Sequence, residues 1–151
     1  MDEEQYQSIY DAFDLSAHYF TWQINNTSVT IPEFVEEYME DELFGDVNVE
    51  KIIALMLNNG ITYKESESLI DDGNYLVLTD SEADEEAKES AEYYFEEVVL
   101  PEIPEYYQRY MDENAFISDY LANDRGEIIA YYDNIEHEET VNDTTYYIYR
   151  R

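Results

Sequence analysis

Carboxylates outnumber cations in this 151-residue chain by 38 to 7, a net charge of −31 at pH 7, and any fold it adopts must tolerate that self-repulsion. Chains this charged often stay disordered, because they cannot bury enough apolar surface to offset the entropy of ordering. Here Leu, Ile, Val and Phe together supply 36 residues, above the roughly one fifth below which highly charged chains fail to fold. Another 17 residues are Tyr, each with an apolar body. With only 4 Gly and 3 Pro, no low-complexity linker interrupts the chain. These features predict a single acidic globular domain over residues 1–151, with an ordinary core and an abnormal surface.

The same charge excludes functions. Direct nucleic-acid binding and electrostatic attachment to anionic lipid both need a Lys/Arg surface, and the chain offers only Lys51, Lys64, Lys88, Arg109, Arg125, Arg150 and Arg151. The absence of Cys removes disulfides, a thiolate nucleophile and Cys-based zinc sites, which fits a reducing compartment. Residues Met1 to Tyr6 lack the basic and apolar regions of a signal peptide, and the longest apolar run, Ile52 to Leu57, is too short to span a bilayer. The expectation is a cytoplasmic protein with no membrane association.

Apolar residues recur every three or four positions from Glu4 to Trp22, through Tyr6, Ile9, Tyr10, Phe13, Ala17 and Phe20, which predicts one helix. The β-branched stretch Ile24 to Ile31 fits a short strand or a loop. Thr30 and Pro32 then signal a helix start, and Phe34, Val35, Tyr38, Met39 and Leu43 form the stripe of a helix stopped near Gly45. Val49 to Asn58 reads as a buried helix ended by Asn59-Gly60. Turn residues Asp71 to Asn74 precede a strand at Tyr75 to Thr79. Asp80 or Ser81 caps the longest helix, about Glu82 to Leu100, and a further helical piece runs from Glu105 to about Leu121. Toward the C-terminus, Arg125-Gly126 is a turn, Ile128 to Tyr132 a strand, Asp133 to Asp143 a polar connection and Thr144 to Tyr149 a second strand. These two strands pair as a hairpin in this reading, and Tyr75 to Thr79 joins them. The predicted class is α+β, several helices packed on one face of a small antiparallel sheet that includes a C-terminal hairpin.

The longest helix carries the most informative pattern. Ala83, Ala87, Ala91, Tyr94 and Val98 line one face, while Glu82, Glu85, Glu86, Glu89, Glu92 and Glu96, with Glu97 beside them, recur at three- and four-residue steps opposite. Like charges at that spacing each destabilise a helix by a few tenths of a kcal/mol, and only Lys88 relieves them. A second helix repeats the pattern with Glu33, Glu36, Glu37, Glu40 and Asp41 and no cation. From Glu82 to Glu96 the stripe is about 21 Å long at ~1.5 Å per residue. A DNA strand presents roughly six phosphates over that length. Two such helices suggest a surface that imitates the DNA backbone, to which a charge-driven DNA-binding protein would be steered. The tyrosines add apolar body without positive charge, and their rings can stack on a partner's arginines. Tyr131, Tyr147 and Tyr149 read as structural strand residues.

Enzymatic readings find little support, and no catalytic residue, cofactor or metal site is expected. His18, among Ala17, Tyr19 and Phe20, reads as a partly buried structural residue. His137, between Glu136 and Glu138, lacks the paired spacing of a zinc-protease helix. Asp71-Asp72-Gly73 does not follow the calcium-loop pattern, and no P-loop, dinucleotide fingerprint or nucleophile elbow is present.

In size, charge and acidic helices the chain resembles the small, very acidic phage or mobile-element DNA mimics of the antirestriction type, which block host defence nucleases. The stretch Asn123 to Asp133, with Tyr146 to Arg150, is also similar to the tail of uncharacterised phage proteins. The resemblance implies an inhibitor whose partner is a basic DNA-binding protein of the host, acting in the host cytoplasm. The candidate targets are restriction, DNA-modification and CRISPR effector complexes. Two copies in a symmetric dimer would extend the charged track. Two rivals stand beside it. One is an acidic binding module for a basic protein that is not a nuclease. The other is a halophile-adapted domain, against which the acidity is concentrated in helices and leaves Ile24 to Ile31 uncharged.

Overall fold

The computed structural model describes residues 1–25, 29–40 and 46–151. Ten short helices and three strands follow in chain order among these residues. Helix α1, Glu3–Ala12, begins with a capping box in which Asp2 accepts from the Gln5 amide and Gln5 reaches back to Asp2. The predicted single helix over Glu4 to Trp22 is in fact two. Asp14 adopts φ 50°, a left-handed conformation that ends α1, and α2 restarts at Ser16–Asn25. Ile24 therefore belongs to a helix, Val29 and Thr30 have no regular structure, and residues 26–28 lie outside the described part. Helix α3, Ile31–Tyr38, starts as expected with Thr30 as N-cap and Pro32 in its first turn. The expected continuation through Asp41 and Leu43 to a stop at Gly45 lies outside the described residues.

Helix α4, Val47–Asn59, ends at Gly60 in the left-handed conformation. Helix α5, Tyr63–Asp71, follows; the reading above misses it, although Thr62 and Glu65 form a capping box. Strand β1 is Tyr75–Thr79, as expected. Thr79, rather than Asp80 or Ser81, caps α6, Asp80–Tyr94, again through a capping box with Glu82. The helix widens into a π-type turn over Phe95–Val99 and continues as α7, Leu100–Glu102. The predicted helix over Glu105 to Leu121 is split into α8, Glu105–Gln108, and α9, Glu113–Tyr120, whose N-cap is Asp112.

The C-terminal hairpin exists but is built from other residues. Arg125–Ile129 is a short helix, α10, and Tyr131 and Tyr132 lie in the turn after it rather than in a strand. Strand β2, His137–Val141, comes from the stretch read as a polar connection, and β3 is Thr144–Arg150. Between them Asn142 and Asp143 both have positive φ, 47° and 66°, the requirement of the two-residue hairpin turn whose twist matches that of its strands. The sheet is antiparallel with β3 in the centre, order β1-β3-β2. Val77 faces Ile148 across one pairing and Val141 faces Thr144 across the other.

Helices cover both faces of this sheet, not one. Alternation in β3 sends Tyr146 and Ile148 to one side, where they join Val77, Val141 and the buried residues of α1, α3 and α4, among them Ile9, Val35, Ile53 and Leu55. Tyr149, with the partly buried Tyr147, Leu76 and Leu78, packs on the other side against Ala83 and Ala87 of α6 and Ile128 and Ile129 of α10. The small side chains of Ala83, Ala87 and Ala91, all buried, allow α6 to approach closely while its opposite face meets solvent.

Candidate functional site

Because α6 lies on the sheet by its alanine face, its glutamates must point outward. The chain's cations then sort them into two groups. Lys51 of α4 places Nζ 3.1 Å from the Glu82 carboxylate. Against the desolvation of its partial burial, the Thr79 backbone and Lys51 hold the Glu82 carboxyl below its ordinary value. Arg151 Nη2 lies 2.8 Å from Glu86. Arg125 Nη1 reaches Asp80 at 2.7 Å and Asp84 at 3.0 Å, and its Nε reaches Glu136 at 3.0 Å. Tyr149 Oη donates to the same Glu136 carboxylate at 2.6 Å. Although desolvation opposes the charge of Arg125, the hydrogen bonds it donates to Glu136 and Asp80 push its pKa up. Asp80, Glu82, Asp84 and Glu86 of α6 are therefore paired with cations from elsewhere in the chain.

The other glutamates of this helix are not. Glu85, Glu89, Glu92 and Glu96 follow one another at i, i+4, i+7 and i+11 and so form one file along the outer face of the helix. None of the four takes part in an ion pair among the described residues, and Lys88 beside them forms none either. The file is about 16 Å long at ~1.5 Å per residue. Glu97 is exposed in the π-type turn that follows. Glu113, in the first turn of α9, adds a carboxylate that the reading above does not contain. Desolvation, and then the nearby Glu96 and Glu92, raise its pKa, the signature of charges crowded without a counterion. No helical spacing links Glu113 to Glu96, since a tertiary contact between two helices brings them together.

The second acidic helix is separate from the first. Helix α3 packs in the core on one side of the sheet and α6 on the other, so the two carboxylate sets do not merge into one track. Glu33 is held in the α3 capping box, with its Oε2 accepting from the Thr30 amide at 2.9 Å. Glu36 accepts a hydrogen bond from the Tyr6 hydroxyl. Glu37 and Glu40 are exposed. Asp41 lies outside the described residues.

The aromatic side chains supply a second motif. Arg151 lies 4.6 Å from the Tyr131 ring centroid, Arg125 4.5 Å from that of Tyr147 and Arg150 3.8 Å from that of Tyr132. Arg109 is between Tyr106 and Tyr110, at 4.7 and 4.9 Å. All four arginines therefore stack on tyrosine, at distances where the ring quadrupole attracts a cation. Tyr149 is fully buried as expected, whereas Tyr131 is 63% exposed and outside any strand. His18 is exposed rather than partly buried, and among the described residues no group of three His, Asp or Glu is arranged to hold a metal ion. No helix among the described residues is long and apolar enough to cross a membrane. Comparison with known protein families, with curated proteins and with solved structures finds no match to this chain.

Proposed function

We propose that this protein is a non-catalytic DNA mimic that inhibits a host DNA-binding defence protein by presenting carboxylates where that protein expects phosphates. The observation that carries the reading is the file Glu85, Glu89, Glu92 and Glu96, which makes no ion pair among the described residues and has only Lys88 beside it, while Lys51, Arg125 and Arg151 are engaged elsewhere. With Glu113 at its end, the file presents about as many charges as the roughly five phosphates that a DNA strand spaces over the same length at ~3.4 Å each. A surface kept at that charge density at a cost to helix stability fits selection for a basic partner. Glu82 and Glu86 border the file as paired residues, and Glu37 and Glu40 form a minor acidic surface on the far side of the sheet.

Affinity capture of the tagged protein from a bacterial lysate, with elution by competing duplex DNA, tests the reading. The expected result is one DNA-binding enzyme, released by duplex and inhibited by the purified protein. In a variant carrying Glu85→Lys, Glu89→Lys, Glu92→Lys and Glu96→Lys, capture and inhibition should vanish while the thermal transition is kept. Full inhibition by that variant overturns the surface assignment. A broad set of basic proteins, indifferent to duplex, overturns mimicry.

A further inference from the structure

Beside the carboxylate file, the outer edge of α6 borders a groove of about 380 Å³ between this helix, α9 and the turn after α10. Glu86 and Glu89 stand at its rim, and Tyr93, Tyr94, Tyr120 and Tyr131 supply its aromatic walls. One wall is stiff, because Tyr94 stacks on Tyr120 at 5.5 Å and on Phe116 at 6.2 Å. The other rings are displayed to solvent, with Tyr93 67% and Tyr131 63% exposed. Exposed rings gathered around one groove, in contrast to single exposed rings, are the kind of surface on which partners dock.

We propose that this groove receives an arginine side chain of a basic protein partner. The inference rests on the proposed function, which supplies a partner rich in arginine, and names the side chain this part of the surface selects. Its template borders the groove. Arg151 lies against two of the lining residues, its guanidinium over Tyr131 at 4.6 Å and its Nη2 2.8 Å from Glu86, so a ring and a carboxylate of this groove already hold a guanidinium. Glu89 and Tyr93, one turn apart on α6 and also in the lining, offer the same two kinds of group, and neither meets a cation among the described residues. Other occupants fit worse. A second copy of this acidic chain or a nucleic acid would bring negative charge against Glu86 and Glu89, and an apolar helix would desolvate both carboxylates without a counterion. Between the two basic side chains, the planar, weakly hydrated guanidinium can lie flat on a ring while it pairs with a carboxylate, and the compact, strongly hydrated ammonium of lysine cannot.

The test compares two synthetic peptides of equal charge, one alternating arginine with glycine and the other lysine with glycine, titrated calorimetrically into the protein at moderate salt. Arginine peptide should bind about three- to tenfold more tightly than lysine peptide, because the less hydrated, planar guanidinium stacks at a smaller desolvation cost. The double variant Tyr93→Ala with Glu89→Gln should bring that ratio to about one. Tyr93 is on the surface, so the fold does not depend on its ring. Tyr107→Ala, exposed and outside the groove, should keep the ratio unchanged. Equal affinities for the wild-type protein, or a preference that survives in the double variant, overturns the proposal. Equal affinities together with a captured enzyme still displaced by duplex DNA would sink the arginine groove alone. A clear arginine preference with no duplex-displaceable enzyme would sink mimicry and leave the groove standing.

Discussion

Arg125 grips Glu136 with two parallel hydrogen bonds, Nε to Oε2 at 3.0 Å and Nη2 to Oε1 at 3.3 Å, and so ties the start of α10 to the residue before β2. The same guanidinium bridges to Asp80 and Asp84 on α6 and lies over the Tyr147 ring. One cation thus unites three carboxylates from two parts of the chain that would otherwise repel.

Arg125→Ala should therefore destabilise the fold. Removing one partner of a fully buried pair costs about 3–5 kcal/mol, and the partial exposure of Arg125 and Glu136, with the open access to Asp80 and Asp84, discounts this to roughly 1–2 kcal/mol. Arg125→Lys should recover less than half, because an ammonium can neither grip Glu136 with two donors nor stack flat on Tyr147. Urea midpoints of the two variants measure both. A lysine variant as stable as the wild type would show that charge alone matters here.

Gly126 stands beside this pair for a steric reason. A Cβ there would meet the Glu136 backbone nitrogen at 2.7 Å and the Asn134 carbonyl oxygen at 2.9 Å. Neither atom can yield without moving the segment that presents Glu136. Gly126→Ala should cost about 1–3 kcal/mol, the usual range for overpacking. Ala at Gly60, where a Cβ would meet only open space, should cost about 1 kcal/mol through its left-handed φ. Thermal melts that rank Gly60→Ala as the worse change would contradict the close approach.

The segment after Gly126 also shows where the sequence was opaque. Ile128 to Tyr132 is a short apolar run whose period cannot separate strand from buried helix. In the fold it is the end of α10 and the turn after it, with Ile128 and Ile129 buried against Ala83, Ala87 and Tyr149. His137 to Val141 hides the opposite way, since a polar edge strand of the sheet looks like a connection until the Asn142-Asp143 turn is recognised. By contrast, α4 and β1 were legible because clear apolar periods ended at Gly60 and began after Gly73. The file Glu85 to Glu96 was legible because it depends on helical spacing alone. The neutralisation of Glu82 and Glu86 was not, since Lys51 and Arg151 arrive from 31 and 65 residues away.

Alkaline pH should unfold the protein through its tyrosines. Burial first, and then Glu36, Glu67 with Asp46, and Glu50 respectively, push the pKa values of Tyr6, Tyr63 and Tyr146 up to about 12. Burial and Glu136 push Tyr149 up as well. Below the ordinary phenol value of 10 the native and unfolded chains are equally protonated at these groups, so stability there is unaffected. Between pH 10 and about 12 the unfolded chain releases protons that the native chain retains, and stability falls. Phenolate absorbance followed with circular dichroism should show Tyr6, Tyr63, Tyr146 and Tyr149 ionising only as helicity is lost. A single titration step with the helices intact would refute this.

Glu113 offers the complementary case at acid pH. Desolvation and the charges of Glu96 and Glu92 raise its pKa, so its ionised form is disfavoured in the fold. The linkage runs opposite to that of Glu82. The destabilisation from Glu113 is fully present above its folded pKa and disappears as pH falls below the unfolded value of about 4.3. Glu113→Gln should accordingly raise the thermal midpoint at pH 7, and the gain should shrink to nothing below about pH 4. Combining the change with Glu96→Gln should return less than the sum of the two gains, since each removes the other's repulsion. A gain that is the same at pH 4 and pH 7 would assign it to packing instead of charge. If the file serves a basic partner, Glu113→Gln should also weaken capture of that partner while it stabilises the fold. That opposite movement of stability and binding is what a surface held at high charge for recognition requires, and a surface charged only for solubility would not produce it.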